Sequence, residues 1–453
     1  MPFQLSVIEL LDILAATPVN FPEQMASVLF TGISTDTRSL QPGHLFLALR
    51  GEKFDGHDFA RVAVEKGAIA AITERHTGSQ LDGVPQLHVE DTLQAYQQFA
   101  RWWRDQFDIP VIAVTGSVGK TTTKELMAAV LSTQGNVLKT QANYNNEIGV
   151  PKTLLELSSE HDYAVIEMAM RGAGQIAELT QIARPTVSVI TNVGTAHIGL
   201  LGSEDAIARA KCELLAEMPA TGVAVLNHDN QRLIDTAATV WQGQTLTYGL
   251  EGGDLHGKLI DTDTLEVEEM QFPLPLPGRH NALNYLAALA VAKLLQVDWV
   301  PLTKGLTVEL PGGRARRYDL PNDIVILDET YNAGLESMLA ALHLLAQTPG
   351  KRQIAVLGAM KELGERSAEF HQQVGKTARE LNLDAMLVLV QDPEADAIAA
   401  GAAPLPVECF ATPEAVVERL KELVQPGDRL LFKASRSVGL DRVVNQFCTA
   451  VSA

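Results

Sequence analysis

The sequence predicts an α/β protein of three domains. A mixed α/β N-terminal domain spans residues 1–108, a central P-loop domain on a parallel sheet spans 109–310, and a smaller Rossmann-like domain spans 311–453. Three observations lead there. At 453 residues the chain is too long for one core, and its length sets roughly two to four domains. Short apolar runs alternate with helical patterns from Ile109 to about Val308, and again from Pro311 onward. Such alternation belongs to mostly parallel sheets covered by helices on both faces. The stretch Ile109–Lys124 joins a strand, a glycine turn, Lys-Thr and a helix, and the rest of the chain is arranged around it.

The N-terminal segment opens with an amphipathic helix carrying Val7, Leu10, Leu11 and Leu14, followed by strand-like runs at Val28–Phe30, Leu45–Ala48 and Ala68–Ile72. Between them lies Ser34-Thr-Asp36-Thr-Arg38. A turn of this composition is either a capped loop or a phosphate or nucleobase contact, and the residues alone do not choose.

In the central segment Val111–Val114 is a short buried strand, and Lys120 opens a helix with Leu126, Met127, Val130 and Leu131 on one side. Backbone N–H groups of the turn and the positive helix end suit a triphosphate, so Gly116, Ser117, Val118, Gly119, Lys120, Thr121 and Thr122 form the candidate phosphate loop. Lys120 adds a charge, and the Thr121 hydroxyl can ligate Mg²⁺. The spacing departs from G-x-x-x-x-G-K-[ST]: Val114 stands where the first glycine belongs, and Gly116 comes two residues later.

Further strands are expected at Val137–Lys139, Tyr163–Glu167, Val187–Asn192 and Val223–Leu226. Ligands of such sheets gather at the carboxyl ends of the strands, which singles out Glu167 and His197. Glu167 ends a buried strand beside the phosphate loop, as a metal ligand would; the alternative is a solvent-facing carboxylate. His197 lies on the same rim, but a lone histidine is as readily structural. Lys211 falls on the apolar face of a helix with Ile207, Leu214, Leu215 and Met218. Burial would lower its pKa, and a neutral amine can take up carbon dioxide as a carbamate; alternatively the lysine snorkels to solvent. The helix Ala282–Val297 begins after Pro277-Gly278 with polar groups at its mouth, including Asn281.

Arg314, in Pro311-Gly-Gly-Arg-Ala-Arg-Arg317, is either part of a linker or a phosphate contact. C-terminal strands are expected at Val325–Leu327, Ile354–Leu357, Met386–Leu389 and Leu430–Lys433. Polar clusters follow two of them, Asp328-Glu329-Thr-Tyr331-Asn332 and Lys433-Ala-Ser435-Arg436. No G-x-G-x-x-G occurs in this segment, which argues against a dinucleotide.

A net charge of −19 argues against non-specific binding to nucleic acid or to anionic membranes. Cys212, Cys409 and Cys448 are too scattered for a zinc or disulfide framework. The N-terminal residues lack a basic region and a cleavage site, and no stretch has the length of a membrane span. A soluble, cytoplasmic protein is expected.

Taken together and in this order, the motifs resemble the Mur ligase superfamily over essentially the whole chain. Its phosphate loop is T-G-x-x-G-K-T, as in Thr115–Thr121, and its asparagine-rich loop corresponds to Asn143–Pro151. The resemblance implies ATP and two Mg²⁺ as cofactors, held with the help of Thr121, Glu167, His197 and a carbamylated Lys211. The family pattern A-K-G-E is Ala210-Lys-Cys-Glu213 here, and D-D-S-Y-N-A is Asp328-Glu-Thr-Tyr-Asn-Ala333. It also implies an adenine-side role for Asn281, a phosphate contact by Arg314 and a ribose contact by Glu329. Ser34, Asp36 and Arg38 would bind a UDP-linked substrate, while Tyr331, Asn332, Lys433, Ser435 and Arg436 would lie on the amino-substrate side.

The implied reaction joins D-alanyl-D-alanine to UDP-MurNAc-tripeptide through an acyl phosphate, in bacterial peptidoglycan precursor synthesis, with Lys120 among the catalytic groups. A monomer is expected. Sibling ligases share the central machinery, but those adding diaminopimelate carry a D-N-P-R that is absent here, and the Ser34–Arg38 block argues against a folylpolyglutamate synthase. A nucleotide-binding scaffold that has lost catalysis would have no reason to keep Glu167, His197 and Lys211 together.

Overall fold

A computed structural model describes residues 5–51, 53–74, 81–390 and 393–452. The first four residues, where the leader-peptide reading begins, lie outside the described residues.

The N-terminal helix Val7–Leu14 is capped by Ser6, whose hydroxyl accepts from the Glu9 N–H while Glu9 reaches back. It buries Val7, Leu10 and Leu14 against a five-stranded sheet ordered Thr17–Val19, Gln86–Val89, Ala71–Glu74, His44–Leu47 and Gly32–Ser34. Thr17–Val19 alone runs antiparallel to its neighbour. The expected strand at Ala68–Ile72 begins only at Ala71, because Gly67 and Ala68 complete the turn that leaves the preceding helix. Helix Thr92–Arg104 then crosses to the central region. Trp103 donates to the Leu157 carbonyl at 3.1 Å, and Arg104 donates to those of Ala183 at 3.0 Å and Arg184 at 3.2 Å.

The central sheet has nine strands, ordered Met270–Pro273, Thr264–Val267, Leu255–Leu259, Gln244–Gly249, Val223–Asn227, Val187–Ile190, Val111–Thr115, Tyr163–Glu167 and Val137–Lys139. Its last seven strands are parallel to one another, as the alternation predicts; the four from Gln244 to Pro273 lie beyond the expected set, and the outer two close the edge with antiparallel pairs. Val111, Ile112, Ala113 and Val114 are fully buried, and each large aliphatic side chain so buried stabilises by about 1.5–3 kcal/mol. A slip of one residue would turn this set inside out, so the register is well determined. It pairs Glu167 with Val114 and Ile190 with Thr115. The ends of three strands are therefore level, with the phosphate loop between the other two. Here the chain order reverses across the sheet, the place where open α/β sheets bind ligands.

The C-terminal sheet is ordered Arg316–Leu320, Ile324–Asp328, Asp428–Lys433, Arg352–Gly358, Ala385–Leu389 and Val407–Phe410, parallel except for its first strand. All four strands expected for this segment are present within it. Among the described residues no helix is long and apolar enough to cross a membrane.

Candidate functional site

The phosphate loop turns on two glycines with positive φ. Gly116, at +153°, lies so near Thr191 that a Cβ would fall 1.9 Å from its hydroxyl oxygen. Gly119, at +84°, caps helix Lys120–Leu131, and a Cβ there would fall 2.5 Å from Oδ1 of Asn284. The loop is held from the neighbouring strand end. Ser117 N–H donates to the Asn192 carbonyl at 3.1 Å and Val118 N–H to its side-chain oxygen at 3.0 Å. These bonds end the strand at Ile190, two residues before the expected Asn192. Ser117 and Val118 thus spend their amides inside the protein, whereas those of Gly119, Lys120, Thr121 and Thr122 open the helix without intrahelical partners. Lys120 folds back, its amine 2.8 Å from the Gly116 carbonyl.

Behind the loop lies helix Arg279–Leu294. Thr123 donates to Oδ1 of Asn284 at 3.1 Å, Asn284 donates to Asn281 at 3.3 Å, and Asn281 donates to the Pro277 carbonyl at 2.8 Å. The polar mouth of this helix is a ladder of amides abutting the phosphate loop.

Glu167 is 2 % exposed. Its Oε1 accepts from the Thr121 hydroxyl at 3.2 Å and from the Asn145 amide at 2.8 Å. Its Oε2 is buried with no hydrogen-bond partner. A buried carboxylate oxygen left unpaired is costly unless a cation completes it. The nearest cationic group is the wholly buried Lys124, 3.8 Å away. Lys124 is directed elsewhere, to the Thr140 carbonyl at 2.7 Å and to Glu125 at 2.9 Å.

Lys211 lies in helix Glu204–Ala216 and is 1 % exposed, so it does not snorkel. Burial, reinforced by the charge of Lys120, holds its pKa well below the ordinary lysine value. Two residues on, the Glu213 carboxylate accepts from the Gly174 N–H at 2.7 Å and the Ala177 N–H at 3.1 Å. It thereby caps helix Gln175–Ala183 and pins the lysine's own helix in place. His197 sits in the left-handed region at φ +67°. Burial, with Lys120 next, lowers its pKa and favours the neutral imidazole.

Lys120, Glu167, His197, Lys211 and Arg314 form one electrostatic neighbourhood. Lys120 is acted on by Glu167 and Arg314, His197 by Lys120 and Lys211, and Lys211 by Lys120. Among the described residues, no group of three His, Cys, Asp or Glu side chains is arranged to hold a metal. A cation here would rely on Glu167 and His197 plus whatever Lys211 becomes.

From the C-terminal domain, Arg314 stacks on the Tyr331 ring at 3.8 Å, with its Nε buried and unpartnered. Lys433 donates to the Asn332 carbonyl at 2.9 Å and lies 3.8 Å from Glu329, whose Oε1 accepts from the Ala315 N–H at 3.1 Å. Burial raises the pKa of Glu329 and lowers that of Lys433. The Ser435 hydroxyl accepts from the Lys361 N–H at 3.0 Å, and Arg436 pairs with Asp441 at 3.2 Å with its guanidinium 6.0 Å above the Tyr331 ring. The two polar clusters are thus one patch, with Arg314 beside it.

In the N-terminal domain the Ser34–Arg38 turn caps itself. Ser34 Oγ donates to the Asp36 carbonyl at 2.9 Å, and Asp36 grips the Arg38 backbone and guanidinium. Those bonds depress the Asp36 carboxyl to about 2 and leave Arg38 largely exposed. Sequence reasoning missed several residues that touch the site: Lys124, Asn145, Asn192, and two C-terminal acids, Glu336 at the Thr195 N–H and Glu362 at the His197 ring. Asn145 alone carried a signal, since the asparagine-rich loop contains it.

Three family descriptions match in succession: Mur ligase family catalytic domain over residues 29–104, Mur ligase middle domain over 114–292, and Mur ligase glutamate ligase domain over 313–436. The chain is 59% identical over 446 residues to a UDP-N-acetylmuramoyl-tripeptide–D-alanyl-D-alanine ligase of Synechocystis sp., covering 98% of each. Its fold superposes on a crystal structure of MurF from Acinetobacter baumannii with a TM-score of 0.90 at 33% identity, covering 99% of each chain. On MurF ligase from Thermotoga maritima in complex with ADP the TM-score is 0.83 at 33% identity, covering 94% of this chain and 99% of that one.

Proposed function

The chain belongs to the Mur ligase family, and from that premise we infer that it joins D-alanyl-D-alanine to UDP-N-acetylmuramoyl-tripeptide at the expense of ATP, in peptidoglycan precursor synthesis. The observation that carries the chemistry is the meeting of a phosphate loop with Glu167, His197 and a buried Lys211 at the carboxyl ends of neighbouring strands.

A peptide carboxylate repels nucleophiles. Attack of its oxygen on the γ-phosphorus of ATP, with ADP leaving, gives an acyl phosphate. The amine of D-alanyl-D-alanine then attacks the acyl carbon, phosphate leaves, and the amine loses a proton. The first step asks chiefly for positioning and charge neutralisation. Lys120, turned from the Gly116 carbonyl onto the γ-phosphate, and Arg314, with its unpaired Nε, supply fixed positive charge. The amides from Gly119 to Thr122 receive the β- and γ-phosphates, with Asn281 on the adenine side and Glu329 towards the ribose.

The donor set fits Mg²⁺. Glu167 offers an orphaned buried oxygen, Thr121 a hydroxyl and His197 a neutral imidazole. Lys211, whose amine burial keeps uncharged and so able to take up carbon dioxide, would as a carbamate add a fourth, anionic ligand. Two bound Mg²⁺ would neutralise phosphate charge as it redistributes. Residues 1–108 take the UDP moiety through Ser34, Asp36 and Arg38. Residues 109–310 take ATP, and residues 311–453 present the dipeptide through Tyr331, Asn332, Lys433, Ser435 and Arg436. On this reading the enzyme works in the bacterial cytoplasm, as a monomer.

Phosphate release is the test. With ATP, Mg²⁺ and UDP-MurNAc-tripeptide, release must depend on added D-alanyl-D-alanine; release indifferent to the dipeptide would remove the assignment.

A further inference from the structure

The loop that carries His197 is gripped by the C-terminal domain at several points. Glu336, at the start of helix Leu335–Gln347, accepts from the Thr195 N–H at 2.6 Å and lies 3.3 Å from its hydroxyl. The Glu362 carbonyl accepts from the Gly199 N–H at 3.0 Å. At the same crossing Gly199 and Gly364 touch backbone to backbone, and a Cβ on Gly199 would fall 2.5 Å from the Gly364 nitrogen. Within this clasp, Oε2 of Glu362 lies 2.5 Å from Nδ1 of His197, and its Oε1 lies 4.0 Å from Arg171.

An ionised carboxylate only accepts, so Nδ1 carries the hydrogen and Nε2 keeps its lone pair. A histidine that ligates through one ring nitrogen usually has the other bound to a carboxylate, which fixes the tautomer and the ring plane. Here that carboxylate comes from a different domain, 165 residues further along the chain. We propose that Glu362 is a positioning residue for His197. Seated across the domain junction, it prepares the imidazole as a metal ligand, so the metal site is complete only when the C-terminal domain is docked. The inference rests on the metal-dependent ligase reading above.

The test is a double-mutant cycle on Mn²⁺ binding. Free Mn²⁺ is counted by electron paramagnetic resonance during titration of the full chain in the presence of ADP, without turnover. Glu362→Ala is expected to weaken Mn²⁺ binding about 10-fold in the otherwise unchanged chain, but by less than about 2-fold in the His197→Ala background. Glu362→Asp should recover part of the loss. Should Glu362→Ala fold poorly in thermal unfolding, Glu362→Gln, which keeps the size of the side chain, replaces it in the cycle. An equal loss in both backgrounds, or no loss in either, overturns the inference and leaves the ligase reading standing. If His197→Ala itself leaves Mn²⁺ binding unchanged, the metal role of His197 falls and the inference falls with it.

Discussion

Replacing Lys124 by methionine tests how the buried Glu167 carboxylate, proposed above as a metal ligand, is held. Lys124 is wholly buried; its amine donates to the Thr140 carbonyl at 2.7 Å, pairs with Glu125 at 2.9 Å and lies 3.8 Å from Glu167. Methionine fills nearly the same volume, so the cavity penalty is small and the loss is electrostatic. Breaking a buried pair from one side costs about 3–5 kcal/mol. The lower end applies here. Glu125 keeps Lys139 as a partner, and Glu167 keeps the hydroxyl of Thr121 and the amide of Asn145, so only the Thr140 carbonyl loses its partner outright. We expect about 3 kcal/mol. With a urea slope of about 3 kcal/mol/M for a domain of this size, the midpoint of the central domain should fall by about 1 M. Fluorescence of Trp241 and Trp299, both in that domain, reports the transition. A fall of less than about 0.3 M would refute the reasoning, because it would mean that the pairs of Lys124 are no better than surface pairs.

Other substitutions address other parts of the site. Gly119→Ala would force an alanine into a left-handed conformation and push Asn284 off the loop; kcat/KM for ATP should drop about 100-fold, measured by coupled ADP release. Lys211→Ala should lower turnover by about 100-fold or more, and millimolar acetate or formate should return part of it; rescue that fails with every short carboxylate would count against a carbamate. Arg38→Ala should raise the Asp36 carboxyl from about 2 towards its ordinary 3.8, followed by carbon-detected NMR titration. The sign follows from the depressed folded value. The Asp36–Arg38 contact stabilises above the unfolded carboxyl pKa and is lost as pH falls through the folded one. The variant should therefore differ from the parent in stability near neutrality and converge with it at the acid end.

The strands that sequence made legible are those with continuous apolar runs, such as Val111–Val114 and Ile354–Leu357, because burial on both faces leaves that pattern. The edge strands from Gln244 to Pro273 carry no such run. Each has exposed or half-exposed residues alongside buried ones, and polar positions (Thr, Gln, Glu, His or Lys) break the pattern. Lys211 was visible through helical periodicity alone, but whether its amine reached solvent depended on the packing of its helix against the helices on either side. Glu336 and Glu362 were invisible for a different reason. Their partners lie 141 and 165 residues away, and an acid in Lys361-Glu-Leu-Gly-Glu365 has the local character of a solvated turn.

The phosphate loop itself shows why the unusual spacing matters. In the longer G-x-x-x-x-G-K form, the turn between the glycines is free to offer its amides to a phosphate chain. Here the first glycine comes late and Val114 remains in the strand, fully buried and paired opposite Glu167. The shortened turn is then close enough to the next strand end for Asn192 to take the N–H groups of both Ser117 and Val118. On the proposed reading, phosphate recognition shifts along the chain, from the turn to the helix end with its Lys120, and to side chains from elsewhere: Arg314 and the groups about Glu167. A loop that surrenders two of its amides needs those external charges, and several of them come from other strands or from another domain. On this reasoning, Asn192→Ala should free the loop rather than strengthen it: the Ser117 amide keeps the backbone carbonyl, only the Val118 amide is released, and nucleotide affinity should fall all the same; a gain in affinity would show that Asn192 merely competes with phosphate.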